Sequence, residues 1–182
     1  MPSANLPTRR VFTTARALFL ALFAATLAQM AWYYPRLPTR MASHFDAAGQ
    51  VNAFMPKDAF VVVHLVVLGL MALSFLLVPA LVTRLPPGMI NLPNKDYWLA
   101  PERRAHTAEK LQSSMVGFGN VMLLFLLLVF GEAMRANLLP TPHLSSRIWV
   151  LLVLLGIFVI YWTVRLMRAF RLPKGDYHVD QR

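Results

Sequence analysis

Four long apolar stretches alternate with polar segments along this chain. They cover residues 17–35, 59–83, 111–134 and 147–165 and hold almost no charged side chains. Each has close to the ~20 residues that an α-helix needs to cross a hydrocarbon core. Such segments are helical because lipid leaves backbone amides no other partner. The pattern predicts an all-α integral membrane protein, a single membrane domain over residues 1–182 with four transmembrane helices.

The polar segment at residues 33–58, between the first two spans, has the pattern of a short hairpin. Residues 40–46 alternate in polarity like a strand, and residues 51–54 have the pattern of a returning strand. Asp46 to Gly49 is a turn sequence in which Gly49 supplies a positive φ. We therefore predict a small loop or hairpin between the first and second helices.

This hairpin needs support, because an isolated two-stranded hairpin is only marginally stable in water. We expect Phe45, Phe54 and Met55 to anchor it on the membrane helices or on the lipid surface. Lys57 then closes the loop, and Asp58 is expected to cap the second helix.

The distribution of basic residues predicts the orientation. With the N-terminus inside, 13 of the 18 Lys and Arg residues fall in inside segments, which favours that orientation under the positive-inside rule. Both termini and the connection at residues 84–110 are then cytoplasmic, and the loop at residues 33–58 faces outward. We predict a multi-pass protein of the cell (inner) membrane.

The net charge of +10 is explained by the basic residues of these flanking segments. The basic residues flank apolar runs and form no patch or stripe, so they indicate contact with an anionic inner leaflet and not with nucleic acid. The chain has no cysteine, which excludes disulfides and thiolate chemistry.

The first span carries two alternatives. A basic start, an apolar core and small residues also fit a cleaved signal peptide, but the long preceding region and the Trp-Tyr-Tyr that follows favour a retained helix.

Alanines on this span recur at helical spacing, which lets helix backbones approach closely in lipid. We expect this alanine stripe to pack within the chain, with a homodimer seam as the alternative. The stripe consists of Ala17, Ala21, Ala24, Ala25 and Ala28.

The connection at residues 84–110 turns helical at Pro101, and this helix is expected to run unbroken into the third span. Its basic side chains Arg103, Arg104 and Lys110 either contact lipid phosphates or form a solvated face. The connection is also a second candidate surface for a protein partner.

A few polar residues lie near the outward ends of the spans or in the loop above them, and together they are the candidate site. They are Gln29, His44, Asp46, His64 and Glu132. In one interpretation they line an outward pocket where imidazole and carboxylate groups share a proton. In the simpler interpretation, water and lipid headgroups form hydrogen bonds with each of these side chains, and Glu132 pairs with Arg135. Asn120 lies deeper and is expected to form an interhelical hydrogen bond.

Two motifs carry a family resemblance. The first consists of Leu37, Pro38, His44, Phe45, Gly49 and Lys57. It resembles the bacterial membrane-protein family known as domain of unknown function 1648, related to the N-terminal part of SdpI-type immunity and signalling proteins. The cytoplasmic stretch NLPNKDYWLAPERR is similar to such proteins too. Its motif residues are Asn91, Pro93, Asn94, Lys95, Asp96, Tyr97, Trp98, Glu102, Arg103 and Arg104. SdpI-type proteins carry additional helices, for which no counterpart follows Arg147.

Function is predicted only in outline. No catalytic residues are assigned, because the sequence has no HExxH, GxSxG, P-loop or GxGxxG motif, and no metal or cofactor is predicted. The resemblance implies sensing, immunity or regulation through the outward loop. A small transporter or accessory subunit is the alternative, and a membrane-embedded enzyme that uses the polar cluster is the third hypothesis.

Overall fold

The computed structural model describes residues 6–77, 81 and 84–173, with side chains from Thr13 onward. Its helices are α1 (Leu6–Tyr33), α2 (Lys57–Leu76), α3 (Lys95–Trp98), α4 (Pro101–Ala136) and α5 (Arg147–Ala169). Its strands are β1 (Arg40–Phe45) and β2 (Val51–Pro56). Short 3₁₀ turns follow α1 and precede α3. We call the side of the bundle that carries the strands the hairpin end and the side that carries α3 the clasp end.

Four of the helices are long and apolar enough to cross a membrane. This confirms the predicted mostly helical fold, with a two-stranded sheet between α1 and α2. The helix that begins at Pro101 does run unbroken into the third span, for 36 residues. At 1.5 Å per residue it is about 54 Å long, so its first turns extend beyond a hydrocarbon core of about 30 Å.

Helices α1, α2 and α4 share the main core. Phe19 of α1, Leu68 of α2 and Leu123 of α4 are fully or almost fully buried in it. Gly119 permits the close approach of these helices, since a Cβ atom there would lie 2.8 Å from the rings of Phe19 and Phe75. Asn120 Nδ2 donates to the Ala15 carbonyl at 3.1 Å, which confirms the predicted interhelical hydrogen bond.

The alanine stripe of α1 does not pack inside the chain. All five alanines are exposed, whereas Phe19, Thr26 and Met30 face the interior. The expectation of intrachain packing is therefore wrong. Large side chains occupy the contact face of α1, which places the small ones on the outer face. A homodimer seam there stays a prediction.

Helix α5 lies at the edge of the bundle, and none of its residues is buried. It meets α4 through Phe118, whose ring lies 5.5 Å from that of Phe158 and 4.4 Å from that of Trp162, centroid to centroid. Its two ends are held by polar contacts with the hairpin and with the α3 region.

Candidate functional site

The hairpin contains a bulge that decides which side chains face the bundle. Ala42 is paired with Phe54 and His44 with Ala53, so Ser43 is an extra residue on β1. Met41 and Ala42, which precede the bulge, are both fully buried. The simple alternation predicted for residues 40–46 is wrong at this point.

The turn has the predicted form. Gly49 has φ +81°, and Asp46 Oδ1 accepts hydrogen bonds from the Ala48 amide at 2.9 Å and the Gln50 amide at 2.8 Å. The Asp46 carboxylate therefore organises its own turn, which is a common use of aspartate.

The predicted hydrophobic anchors do not hold the hairpin on the helices, and their contact with the lipid surface stays a prediction. Phe54 is 47% exposed, and Phe45 and Met55 are only half-buried. Met41 takes the anchoring position in a buried cluster with Leu37 and residues of α1 and α4. Phe45 follows the bulge at Ser43, which takes it out of the alternation that begins at Met41, and Phe54 lies on the open face.

Asn137, just after α4, holds the hairpin from the side. Its Oδ1 accepts from the Ala42 amide at 2.6 Å, and its Nδ2 donates to the Ala42 carbonyl at 3.0 Å. The Asn137 side chain is 4% exposed, and its amide satisfies both backbone groups of Ala42 as a neighbouring strand would. Sequence reasoning missed this residue, since 95 positions separate the two partners.

The tip of the hairpin contacts the connection between α4 and α5. The Leu144 amide donates to the Gly49 carbonyl at 3.0 Å, and Trp149 Nε1 donates to the Ala47 carbonyl at 3.2 Å. A Cβ atom on Gly49 would collide with the Leu144 carbonyl oxygen and crowd the His143 ring. Gly49 is thus required both by its φ and by this contact.

Lys57 closes the loop as predicted. Its amide donates to the Thr39 carbonyl at 2.9 Å, and its Nζ lies 3.4 Å and 3.5 Å from the carbonyl oxygens of Tyr34 and Leu37. Asp58 does not cap α2: the N-cap is Pro56, which has no side-chain cap, and Asp58 Oδ1 accepts from the Tyr34 hydroxyl at 2.9 Å. Asp58 lies within the first turn of α2, and its side chain reaches Tyr34 in the 3₁₀ turn after α1.

The five predicted polar residues occupy several different environments. His44 is exposed, with Nδ1 3.3 Å from Ser43 Oγ. His64 is 1% exposed, and its ring centroid lies 3.5 Å from that of Phe130. Neither ring nitrogen of His64 has a hydrogen-bond partner among the described residues.

Gln29, by contrast, lies against α4 beside Gly131, the residue that precedes Glu132. Gln29 Nε2 would be 2.8 Å from a Cβ on Gly131, and Arg135 Nη2 would be 3.5 Å from it. Arg135 also pairs with Glu132 at 3.1 Å, which confirms that predicted ion pair. Among the residues that the structure describes, no group of three His, Cys, Asp or Glu side chains is arranged to hold a metal ion.

The open face of the hairpin end carries arginines stacked on exposed aromatic rings. The Arg36 guanidinium lies 4.1 Å from the Trp32 ring centroid, and that of Arg40 lies 4.9 Å from that of Phe54. Trp32 is 65% exposed. In the described part of the chain, neither Arg36 nor Arg40 forms a salt bridge. We call these four residues the hairpin face.

At the opposite end, the NLPNKDYW motif caps α5. Asn94 Nδ2 and Trp98 Nε1 donate to the Phe170 carbonyl at 2.8 Å and 2.9 Å, and Lys110 Nζ donates to the Ala169 carbonyl at 2.5 Å. The last carbonyls of a helix lack intrahelical partners, and these three side chains donate the missing hydrogen bonds at the end of α5. We call Asn94, Trp98, Lys110 and Phe170 the α5 clasp.

The other residues of this motif brace the clasp or face outward. Arg103 Nε donates to the Tyr97 carbonyl at 2.8 Å, Arg104 donates to the Leu85 carbonyl, and Thr107 Oγ1 donates to the Trp98 carbonyl at 2.7 Å. The predicted lipid-facing basic residues therefore make contacts inside the chain. Four other motif residues, Asn91, Lys95, Asp96 and Glu102, are exposed, and Pro93 is half-buried.

Residues 21–70 match the family model described as Domain of unknown function (DUF1648). The match spans the second half of α1, the hairpin and most of α2, and so contains the whole Leu37–Lys57 motif. It supports the family resemblance for this part of the chain. The α5 clasp and the helices α4 and α5 lie outside it. No curated protein and no solved structure matches this chain.

Proposed function

We propose that this multi-pass membrane protein senses or regulates a partner protein through its hairpin face, on the outer side of the cell membrane. The observation that carries the proposal is the pair of exposed aromatic rings, Trp32 and Phe54, each covered by an arginine without an acidic partner. Aromatic residues and arginine are the types enriched at protein interfaces.

The support beneath this face favours recognition. The Asn137 amide, the Gly49 contact and Lys57 fix the hairpin on different sides. A surface held in this way loses little conformational freedom when a partner binds, which favours affinity. With Arg36 and Arg40 unneutralised by carboxylates, the complementary partner surface is acidic.

The SdpI-type resemblance gives the finer version of this proposal. Immunity and signalling both require that a membrane protein recognise another molecule at the cell surface, and the hairpin face would do so here. The exposed residues of the clasp end, such as Lys95 and Asp96, are the second candidate surface for a partner, on the cytoplasmic side.

Photo-crosslinking in living cells tests the hairpin face. A photoreactive phenylalanine analogue at Phe54 is expected to form an adduct with one discrete protein. Arg40→Glu should reduce that adduct more than about tenfold, since like charges across an interface cost several kcal/mol. Arg147→Glu is the matched control, because Arg147 is exposed near the same end but outside the hairpin face. Equal adduct in both variants would rule out recognition by this face.

The orientation has its own test. The chain has no native cysteine, so single cysteines report without a background. A cysteine at the exposed residue Ala48 should react with an impermeant thiol reagent in intact cells, and one at the exposed residue Asp96 should react only after lysis. This result is expected because the basic residues are concentrated on the clasp side. The opposite labelling would place the hairpin face in the cytoplasm.

A further inference from the structure

A groove of about 970 Å³ lies between α4 and α5 at the clasp end. Its α4 wall includes Ser113 and Gly117, which are four residues apart and therefore on one face of the helix. Its α5 wall includes Phe158, Trp162 and Arg165, which share a face in the same way. This size is within the range of pockets that bind small molecules.

The groove changes from charged to apolar along its length. Arg16, Lys110 and Arg165 line it together with one carboxylate, that of Glu109, so its charge is net positive. Phe118, Phe158 and Trp162 form the apolar wall.

Because α4 and α5 are antiparallel, the polar lining residues of the two helices lie at one end of the groove and the aromatic ones lie at the other. The α4 residues that line the groove run from His106 to Phe118, which is about 18 Å along the helix axis. On α4 the polar residues come first and Phe118 last. On α5, Phe158 precedes Arg165, and Phe118 contacts Phe158. The apolar wall therefore lies on the side nearer the middle of the two helices, and the cationic part lies nearer the clasp.

We propose that this groove holds one anionic phospholipid, with its phosphate near Arg165 and Ser113 and its acyl chains against Phe158 and Trp162. Arginine and hydroxyl groups donate hydrogen bonds to phosphate oxygens, and basic pockets between membrane helices bind anionic headgroups. The aromatic wall continues toward the centre of the spans, where the acyl chains lie. The order of charge and apolar surface in the groove is the order within a phospholipid.

Native mass spectrometry of the purified full-length chain tests the charge requirement. After reconstitution in equal amounts of phosphatidylglycerol and phosphatidylcholine, the protein released from detergent should retain one phosphatidylglycerol. Arg165→Gln should lower its retention about fivefold, the effect of one basic group at an anionic lipid surface. Arg168→Gln is the matched control, since Arg168 is exposed one turn further along α5 and does not line the groove. Equal loss in both variants, or equal retention of the two lipids by the unaltered protein, would overturn the proposal.

A filled groove tests the shape requirement. A Cβ atom on Gly117 would have no other group within 4 Å, so Gly117→Leu should place its side chain in the groove without a clash. Gly156→Leu adds the same side chain to α5 where a Cβ is equally unhindered, outside the groove. We expect Gly117→Leu to abolish lipid retention and Gly156→Leu to leave it unchanged, with the same helical circular dichroism for both.

Two results of this second experiment count against the proposal. Retention of phosphatidylglycerol by Gly117→Leu would show that the lipid binds elsewhere. A lipid-free dimer in the unaltered protein, disrupted by Gly117→Leu, would show that a second copy covers the groove. If Gly117→Leu does not fold, the comparison of Arg165→Gln with Arg168→Gln still decides the question.

Discussion

Asn137→Ala is expected to release the hairpin from the bundle. The change removes the partners of the Ala42 amide and of the Ala42 carbonyl at once. Ala42 is fully buried, so water does not replace them in the folded state. Each buried backbone group left unpaired costs about 1–3 kcal/mol, and we expect a loss of about 3 kcal/mol in the stability of the docked hairpin.

Hydrogen exchange at the Ala42 amide measures this loss directly. A change of about 3 kcal/mol corresponds to exchange roughly a hundredfold faster. Asn52→Ala is the control, since Asn52 lies on β2 with its side chain exposed. Unchanged exchange at Ala42 in Asn137→Ala would show that the side-chain amide does not hold the strand. If the proposed function is right, the same variant should also weaken the adduct formed from Phe54.

The parts of the fold that follow from local pattern were predictable. Apolar length indicated the four long helices, and Asp46 with Gly49 indicated the turn, because a carboxylate that accepts nearby amides and a glycine at positive φ are short-range features. The unbroken helix from Pro101 was predictable for the same reason, since its start signal and its periodicity are contiguous in sequence.

The supports between elements were not predictable in this way. The contact of Asn137 with Ala42 joins residues 95 positions apart, and nothing near Asn137 in sequence distinguishes it from any asparagine after a helix. The bulge at Ser43 separated Phe45 from the face of Met41, because one extra residue reverses the facing of the side chains after it. The prediction from the sequence pattern assumed that side chains alternate strictly between the two faces of the strand.

The candidate polar residues show a second limit. Proximity to the same end of the bundle suggested that His44 and His64 could share a pocket. The structure puts the His44 ring beside Ser43 on the exposed side of the hairpin and the His64 ring between Phe60 and Phe130. Depth along a helix is readable from sequence, but the direction of a side chain around the helix depends on neighbours that the sequence does not identify.

At the clasp end, the sequence indicated an ordered segment but did not indicate which groups its side chains contact. The density of Asn, Trp and Arg residues in NLPNKDYWLAPERR indicated an ordered segment, and Arg103, Arg104 and Lys110 were assigned to lipid phosphates or solvent. They instead donate to the carbonyls of Tyr97, Leu85 and Ala169. Arg165, Arg168 and Arg171 recur at a spacing of three residues, which indicates one side of a helix, but α5 ends at Ala169, so Arg165 and Arg168 are helical and Arg171 lies beyond.

Trp98→Ala is expected to free the end of α5 from the clasp. Trp98 supplies a donor to the Phe170 carbonyl and a ring 5.4 Å from that of Phe170, and Lys110 Nζ lies 4.6 Å from its centroid. Truncating a fully buried tryptophan to alanine costs about 3–5 kcal/mol, and Trp98 is half-buried, so we expect a loss of about 2–3 kcal/mol. The effect should be large for α5, because none of its residues is buried along the span and the clasp is one of its two end supports.

Limited proteolysis near residues 169–173 and hydrogen exchange at residues 165–171 measure the release of α5. Trp98→Phe keeps an aromatic ring but removes the N–H donor, so we expect a smaller loss of about 1 kcal/mol. Trp32→Ala is the control for loss of a tryptophan, since Trp32 is 65% exposed at the opposite end. The expected order of exchange rates at the end of α5 is Trp98→Ala fastest, then Trp98→Phe, with Trp32→Ala equal to the unaltered protein. Equal rates in Trp98→Ala and Trp32→Ala would mean that contacts with α4, and not the clasp, hold α5 in place.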